Sequence, residues 1–452
     1  MTSRYLAACV ALAFGMLVAG GVHAQSTPSP APVAHVTVQN LAPAPEAHGA
    51  ASLDPLKATN AYLARVSGAA RTRSDSYFEG GYLLLLVDTA YSVVVSAILL
   101  WLGISAGMRN IAQGLTRSRF LQVPIYVVMF VLVTAVLSFP LSVYEGYIRE
   151  HAYGLSNQNF LQWFGDFAID LGVSVIGATI VLTLIYSVIR ATPRMWWAWG
   201  ALVAVGFIAF EAVVDPVFIS PLKNHYQELR PGPVREEILT LARANGIPST
   251  HVYEFDASRQ SKRVSANVSG FLGTTRISLN DNLLNRCSPA EIEAVLGHEM
   301  GHYVLDHSAL LITWLGLVIL VAFLFVNWGF NVLVNIFGGN WDVRSIDDPA
   351  GLPVLSALLA VFMLIATPVT NTIIRTAEAQ ADIFGLNASR QPDAFATVAL
   401  KLSEYRKLDP TPLEEFVFYD HPSGRTRIFN AMRWKAAHLN DPDIKAGPVS
   451  PQ

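Results

Sequence analysis

Six stretches of nearly unbroken apolar character, at residues 81–102, 123–143, 167–189, 196–219, 309–330 and 352–374, punctuate this chain. Each is long enough to cross a hydrocarbon core of about 30 Å as a helix. Between the fourth and fifth, the pattern changes. Residues 233–244 have the period of an amphipathic helix, with Pro233 at the start and Gly246 after the end. Residues 251–255, 264–271 and 275–279 alternate as short strands do, the last two joined by a Gly-containing turn. A further helix is expected from Ser288, because Ser288 with Glu291 forms a capping box and Pro289 takes the first helical position. Ahead of all this, residues 1–24 read as a cleavable secretory signal: Arg4, an apolar run from Tyr5 to Val18, then Val22-His23-Ala24. Residues 25–56, rich in Pro, Ala and Ser, read as a disordered linker.

The expected fold class is therefore mainly α: a polytopic α-helical membrane protein with about six mature spans, or seven if the N-terminal segment is retained. It divides into a membrane domain of four spans at 57–219, a mixed α+β segment at 220–307, two more spans at 308–375, and a helical tail at 376–452. Composition agrees, with 52% hydrophobic and 14% charged residues and a mean hydropathy of +0.39. The net charge of −3 and the scattered Lys and Arg residues exclude a nucleic-acid surface. Of the two cysteines, Cys9 falls in the signal, so no internal disulfide and no cysteine-based metal knuckle is expected. Several spans carry acids, which are costly in lipid. Asp88 is expected to face the interior, whereas Asp170 and Asp215 are expected only to flank the interfaces.

The chemistry lies in the helix that opens at Ser288. His298-Glu299-Met300-Gly301-His302 is an HExxH motif. At 3.6 residues per turn its histidines share one face, one turn apart, as two ligands of a single zinc ion must. Glu299 is angularly adjacent and suits a general base. Catalytic zinc takes three protein groups and a water. The best place for the third is Thr376–Asp382, where Glu378 and Asp382 share a helical face just beyond the sixth apolar stretch. His307 is expected to be an interfacial structural residue, and His225, His251 and His438 receive no role.

HEMGHYVLDH at 298–307, EAQAD at 378–382 two apolar stretches later, and His421-Pro422-Ser423 with Arg427 together resemble the type I CAAX prenyl protease family of membrane zinc metallopeptidases. The resemblance runs from about residue 61 to 431 and includes YFEGGY at 77–82 and RISLNDNLL at 276–284. It implies a zincin-like metalloprotease segment at the membrane surface, spans enclosing a water-filled chamber, and one zinc ion per chain held by His298, His302 and Glu378. It further implies Glu299 as general base, Asp382 orienting a ligand histidine, and His421 with Arg427 near the substrate or its oxyanion. Asn267 would lie on an edge strand that pairs with the substrate, although the family's Asn-Ala-aromatic reads Asn267-Val268-Ser269 here. The implied partners are a peptide or protein substrate and membrane lipid.

Two rival functions fit the sequence less well. A site-2-type intramembrane protease also uses HExxH but buries it within a span, whereas this motif precedes its apolar run. A catalytically silent scaffold or transporter would not need Glu299 and Glu378. A signal of this kind suggests a bacterial protein, in which prenylated tails are not expected, so membrane or translocating polypeptides are the expected substrates. Arg109, Arg117, Arg119, Arg190 and Arg194 in the first and third loops place those loops in the cytoplasm, which puts the catalytic segment in the periplasm, in an inner-membrane protein.

Overall fold

The computed structural model describes residues 53–269 and 275–444, so the expected signal, most of the linker and the turn joining the last two strands lie outside the described residues. Among the described residues the fold is mostly helical, with six helices long and apolar enough to cross a membrane: Gly68–Trp101, Arg119–Ala152, Phe160–Ala191, Trp196–Leu222, His307–Trp341 and Pro349–Ser389. Four of them exceed the apolar stretches at both ends, Gly68–Trp101 only at its start and Trp196–Leu222 only at its end. The extra turns at residues 68–80 and 375–389 carry most of the polar residues of their helices, so the apolar pattern marks the part that lipid can accept and not the helix ends. The chain forms two compact units.

The first unit comprises residues 82–223 and 310–370. Its core packs Leu99, Tyr126, Phe130, Trp163, Ile185, Tyr186, Trp196 and Phe323. Its outward faces are equally apolar: Val136, Ile176, Leu202, Phe210, Trp328 and Ile365 are all exposed. Apolar side chains on both faces are what a bundle dissolved in lipid presents, whereas in water such a surface would aggregate. The shorter helix Ile104–Leu115 follows the first span. It carries Arg109, only 1% exposed, whose guanidinium reaches Asp348 at 2.9 Å and Asp342 at 2.6 Å. A buried cation is tolerable only when paired in this way. Asp170, expected only to flank an interface, is buried and paired with Lys223 at 2.7 Å.

The second unit takes in residues 53–81, 224–309 and 371–444 of the described chain. A four-stranded sheet is ordered β1-β2-β4-β3, with β1 Tyr226–Glu228, β2 Val252–Phe255, β3 Ala266–Ser269 and β4 Arg276–Asn280. β2 and β4 run parallel, and β3 is the antiparallel edge, pairing Asn267 with Ser278. The motif helix Pro289–Val304 lies in the middle of this unit and starts on both halves of the Ser288–Glu291 capping box. Its Ile292, Leu296 and Met300 join the sheet's Val252, Val268, Ile277 and Leu279 in one core. Ala294 faces a second core made with Phe395, Ile428 and Met432 of the tail. Apolar packing on two sides fixes the helix in rotation, which leaves its polar residues one direction in which to point.

Candidate metal centre

Helix Leu352–Ser389 crosses the motif helix at unusually close range because the contact residues are small. A Cβ on Gly385 would lie 2.7 Å from the backbone nitrogen of His298, one on Gly297 3.0 Å from the carbonyl oxygen of Gly385, and one on Gly301 3.1 Å from Cα of Ala381. Backbone therefore rests on backbone, and Glu378, two turns before Gly385, is brought level with the two histidines.

Among the described residues, His298, His302 and Glu378 form the group of three potential metal ligands, with donor atoms all within 4.8 Å of one another. The two Nε2 atoms are 3.2 Å apart. Glu378 Oε2 is 3.3 Å from His298 Nε2, and Oε1 is 3.5 Å from His302 Nε2. Bonds of 2.0–2.1 Å to a tetrahedral zinc put neighbouring ligand atoms about 3.3 Å apart. The spacing and the chemistry of the donors, two imidazole nitrogens and one carboxylate, both fit the ion.

The surrounding residues hold these donors in place. Asp382 Oδ1 lies 2.8 Å from His298 Nδ1, turning the other nitrogen towards the cluster. Arg427, 8% exposed, spans both carboxylates, with Nη2 3.3 Å from Glu378 and Nε 3.0 Å from Asp382. His421 Nε2 is 3.3 Å from Glu378 Oε2, and its Nδ1 lies 2.7 Å from Asp420. The segment carrying His421 is anchored to the Glu378 helix, where Asn371 donates to the Val417 carbonyl and Arg375 to those of Glu415 and Tyr419. Burial pushes the Glu299 carboxyl up to about 7, with Glu378 adding to the rise and His298 and Arg427 opposing it. At His298 burial acts downwards, but its carboxylate partners Asp382 and Glu378 outweigh it and raise the imidazole to about 10. His302 faces the same Glu378 but has no carboxylate at its other nitrogen, and burial takes it down to about 3.

The structure thus brings together His298, Glu299, His302, Glu378, Asp382, His421 and Arg427. Asn267 stands apart on β3, half-exposed between the buried Ala266 and Val268, with Ser269 donating to its side chain at 3.4 Å. Sequence reasoning missed Asp420, which has no spacing signature, and did not place His307 beside His302. That residue is 1% exposed, and its Nδ1 lies 3.0 Å from His302 Nδ1. The motif helix ends at Val304, outside the span-length helices, so the motif is not buried within a span as the site-2 class requires.

Two family models match consecutive parts of the chain. The family described as CAAX prenyl protease N-terminal, five membrane helices, matches residues 65–225. Peptidase family M48 matches residues 228–435. The uncharacterized metalloprotease YhfN of Bacillus subtilis is 30% identical over 336 residues, which cover 74% of this chain and 79% of that protein. CAAX prenyl protease 1 of Saccharomyces cerevisiae is 27% identical over 313 residues, 65% of this chain and 68% of the relative. The crystal structure of S. mikatae Ste24p superposes with a TM-score of 0.68 at 20% identity, covering 84% of this chain and 94% of that one, and shows a common fold.

Proposed function

Because this chain belongs to peptidase family M48 and is a membrane-embedded metallopeptidase, we propose that its metal is zinc, one ion per chain, held by His298, His302 and Glu378. The observation that carries this reading is the spacing of the three donors, 3.2 to 3.5 Å, which matches the edge of a zinc tetrahedron. A zinc ion there would supply Lewis acidity, polarising the scissile carbonyl and bringing a water's pKa to about 7.

The remaining work falls to the chain's own side chains. Glu299 takes the proton of the attacking water and passes it to the departing amine, a role suited to a carboxyl that burial holds near neutrality. His421, fixed through Nδ1 by Asp420, presents Nε2 where the carbonyl oxygen gathers charge. Arg427 and Asp382 hold Glu378 and His298 at their angles. The outer edge of β3 at Asn267 offers an extended peptide a strand to pair with. The substrates proposed are membrane or translocating polypeptides, cleaved on the periplasmic side of the inner membrane. Prenylated tails are what several relatives are named for, and the mechanism does not require one.

Glu299→Gln tests the scheme. The amide cannot accept a proton, so the variant should keep about one equivalent of zinc while peptide cleavage falls by roughly 10² to 10⁴. Zinc content by elemental analysis and turnover of a quenched fluorescent peptide read the two separately. Cleavage at near wild-type rate would remove Glu299 as the base.

A further inference from the structure

We propose that His307 and Gln380 are positioning residues that hold His302 in the tautomer able to bind the metal. The inference rests on the zinc-site reading above. His307 Nε2 lies 3.1 Å from the amide oxygen of Gln380, and His307 Nδ1 lies 3.0 Å from His302 Nδ1. An amide oxygen has no proton to give, so the hydrogen of that contact belongs to His307 Nε2. A neutral His307 then has its lone pair at Nδ1, where it accepts from His302 Nδ1–H. The one lone pair left on His302 is at Nε2, the atom 3.5 Å from Glu378 Oε1 and 3.2 Å from His298 Nε2. One amide, three bonds away from the centre, thereby determines which face of His302 is basic.

The two ligand histidines are thus supported by different chemistry. His298 has the carboxylate of Asp382 at its remote nitrogen, and His302 has a neutral imidazole backed by an amide. The backbone is built for this second arrangement. In a continuous helix, residue 307 would sit about 140° around the axis from residue 302 and point away from it. Instead the motif helix stops, Asp306 takes φ 50°, and the next helix starts at His307 with its ring turned back against His302. Asp tolerates that left-handed conformation better than most residues.

Titration of the purified full-length protein with zinc alone, against a chromophoric chelator, tests the relay without reference to turnover. His307→Phe removes the acceptor and should weaken zinc about 10- to 100-fold. His307→Asn, whose Oδ1 falls near the place of Nδ1, should recover part of that loss, as a merely space-filling role would not. Gln380→Leu should weaken zinc several-fold and Gln380→Glu, which keeps an acceptor, much less. The double variant His307→Phe with Gln380→Leu should bind no more weakly than His307→Phe alone, because Gln380 acts only through His307. Zinc affinity in His307→Phe within about threefold of wild type, or additive losses in the double variant, would overturn the proposal. If His307→Phe does not fold, the contrast between Gln380→Leu and Gln380→Glu decides it. Glu378→Ala separates the two levels: retention of zinc there refutes the ligand set itself, whereas loss there with retention in His307→Phe refutes only the relay.

Discussion

Glu378 and Asp382 lie one turn apart on the same helix, yet their surroundings assign them different tasks. Glu378 has oxygens facing His298 and His302, with His421 and Arg427 also on Oε2. Removing it in Glu378→Ala should abolish both zinc binding and cleavage, because two imidazoles alone leave the ion short of protein ligands. Asp382 touches His298 only at the nitrogen remote from the cluster, so Asp382→Asn should weaken zinc about 10- to 100-fold and leave residual activity at saturating metal. Chelator competition checks both variants, and the assignment fails if Glu378→Ala binds zinc as wild type does. HExxH was legible from spacing alone, since four residues on a helix decide which side chains meet. His307 was not, because five residues on a helix point elsewhere, and only the φ of Asp306 brings its ring back. A thiol outside the site gives a further check. Burial pushes Cys287 from its usual 9.0 up to about 11, so at a given pH below 9 its thiolate fraction is about 100-fold below that of a free thiol. Its alkylation by iodoacetamide in the native protein should be slower by at least that factor than after denaturation, and equal rates would contradict the burial.

At the scale of elements, the site depends on how closely two helices can approach. Gly385→Ala would drive a methyl group into the backbone at His298, 2.7 Å from N and 3.0 Å from Cα, and no side-chain rotation can relieve that contact. The variant should lose roughly 1–3 kcal/mol of stability through overpacking and lose zinc affinity as the ligands separate. Gly206→Ala, with nothing within 4 Å of its added Cβ, should melt at or above the wild-type temperature. A differential scanning melt of the two variants distinguishes local collision from a general intolerance of added bulk. The spans were legible because lipid demands long apolar runs. The helix Ile104–Leu115, with the polar Ser105 and Arg109 buried in it, was not, because its inward face is satisfied by Tyr126, Asp342 and Asp348 from distant parts of the sequence. β1, three residues long, is too short to show a period and exists by pairing with β2.

For the whole molecule, the charge of the loops bears on which side of the membrane the metal centre faces. Arg109, the first of the cationic loop residues, proves to be buried and paired with Asp342 and Asp348. Asp342 and Asp348 lie, with Asp347, in the loop between the fifth and sixth spans, which is acidic for a loop on the cytoplasmic side. The pairing removes one cation from the count and also cancels two of that loop's acids. It further sets the first and fifth loops at one end of their unit, and Arg190, donating to the Arg119 carbonyl, brings the third loop to that end as well. Arg117, Arg119, Arg190 and Arg194 remain there as uncancelled cations, while the loop between the second and third spans has Arg149 among Glu145, Glu150 and Asp166. Lys and Arg orient a membrane protein far more than acids do, so the Arg-rich end should be cytoplasmic. Four crossings would then put residues 224–306, and two more the tail, on the periplasmic side. To test this, Cys9→Ser and Cys287→Ala are combined with Ser450→Cys, and intact spheroplasts are treated with a membrane-impermeant maleimide. Labelling before lysis is the expected result. Labelling only after lysis would put the tail, and the metal centre with it, in the cytoplasm and would require substrates to be delivered from that side.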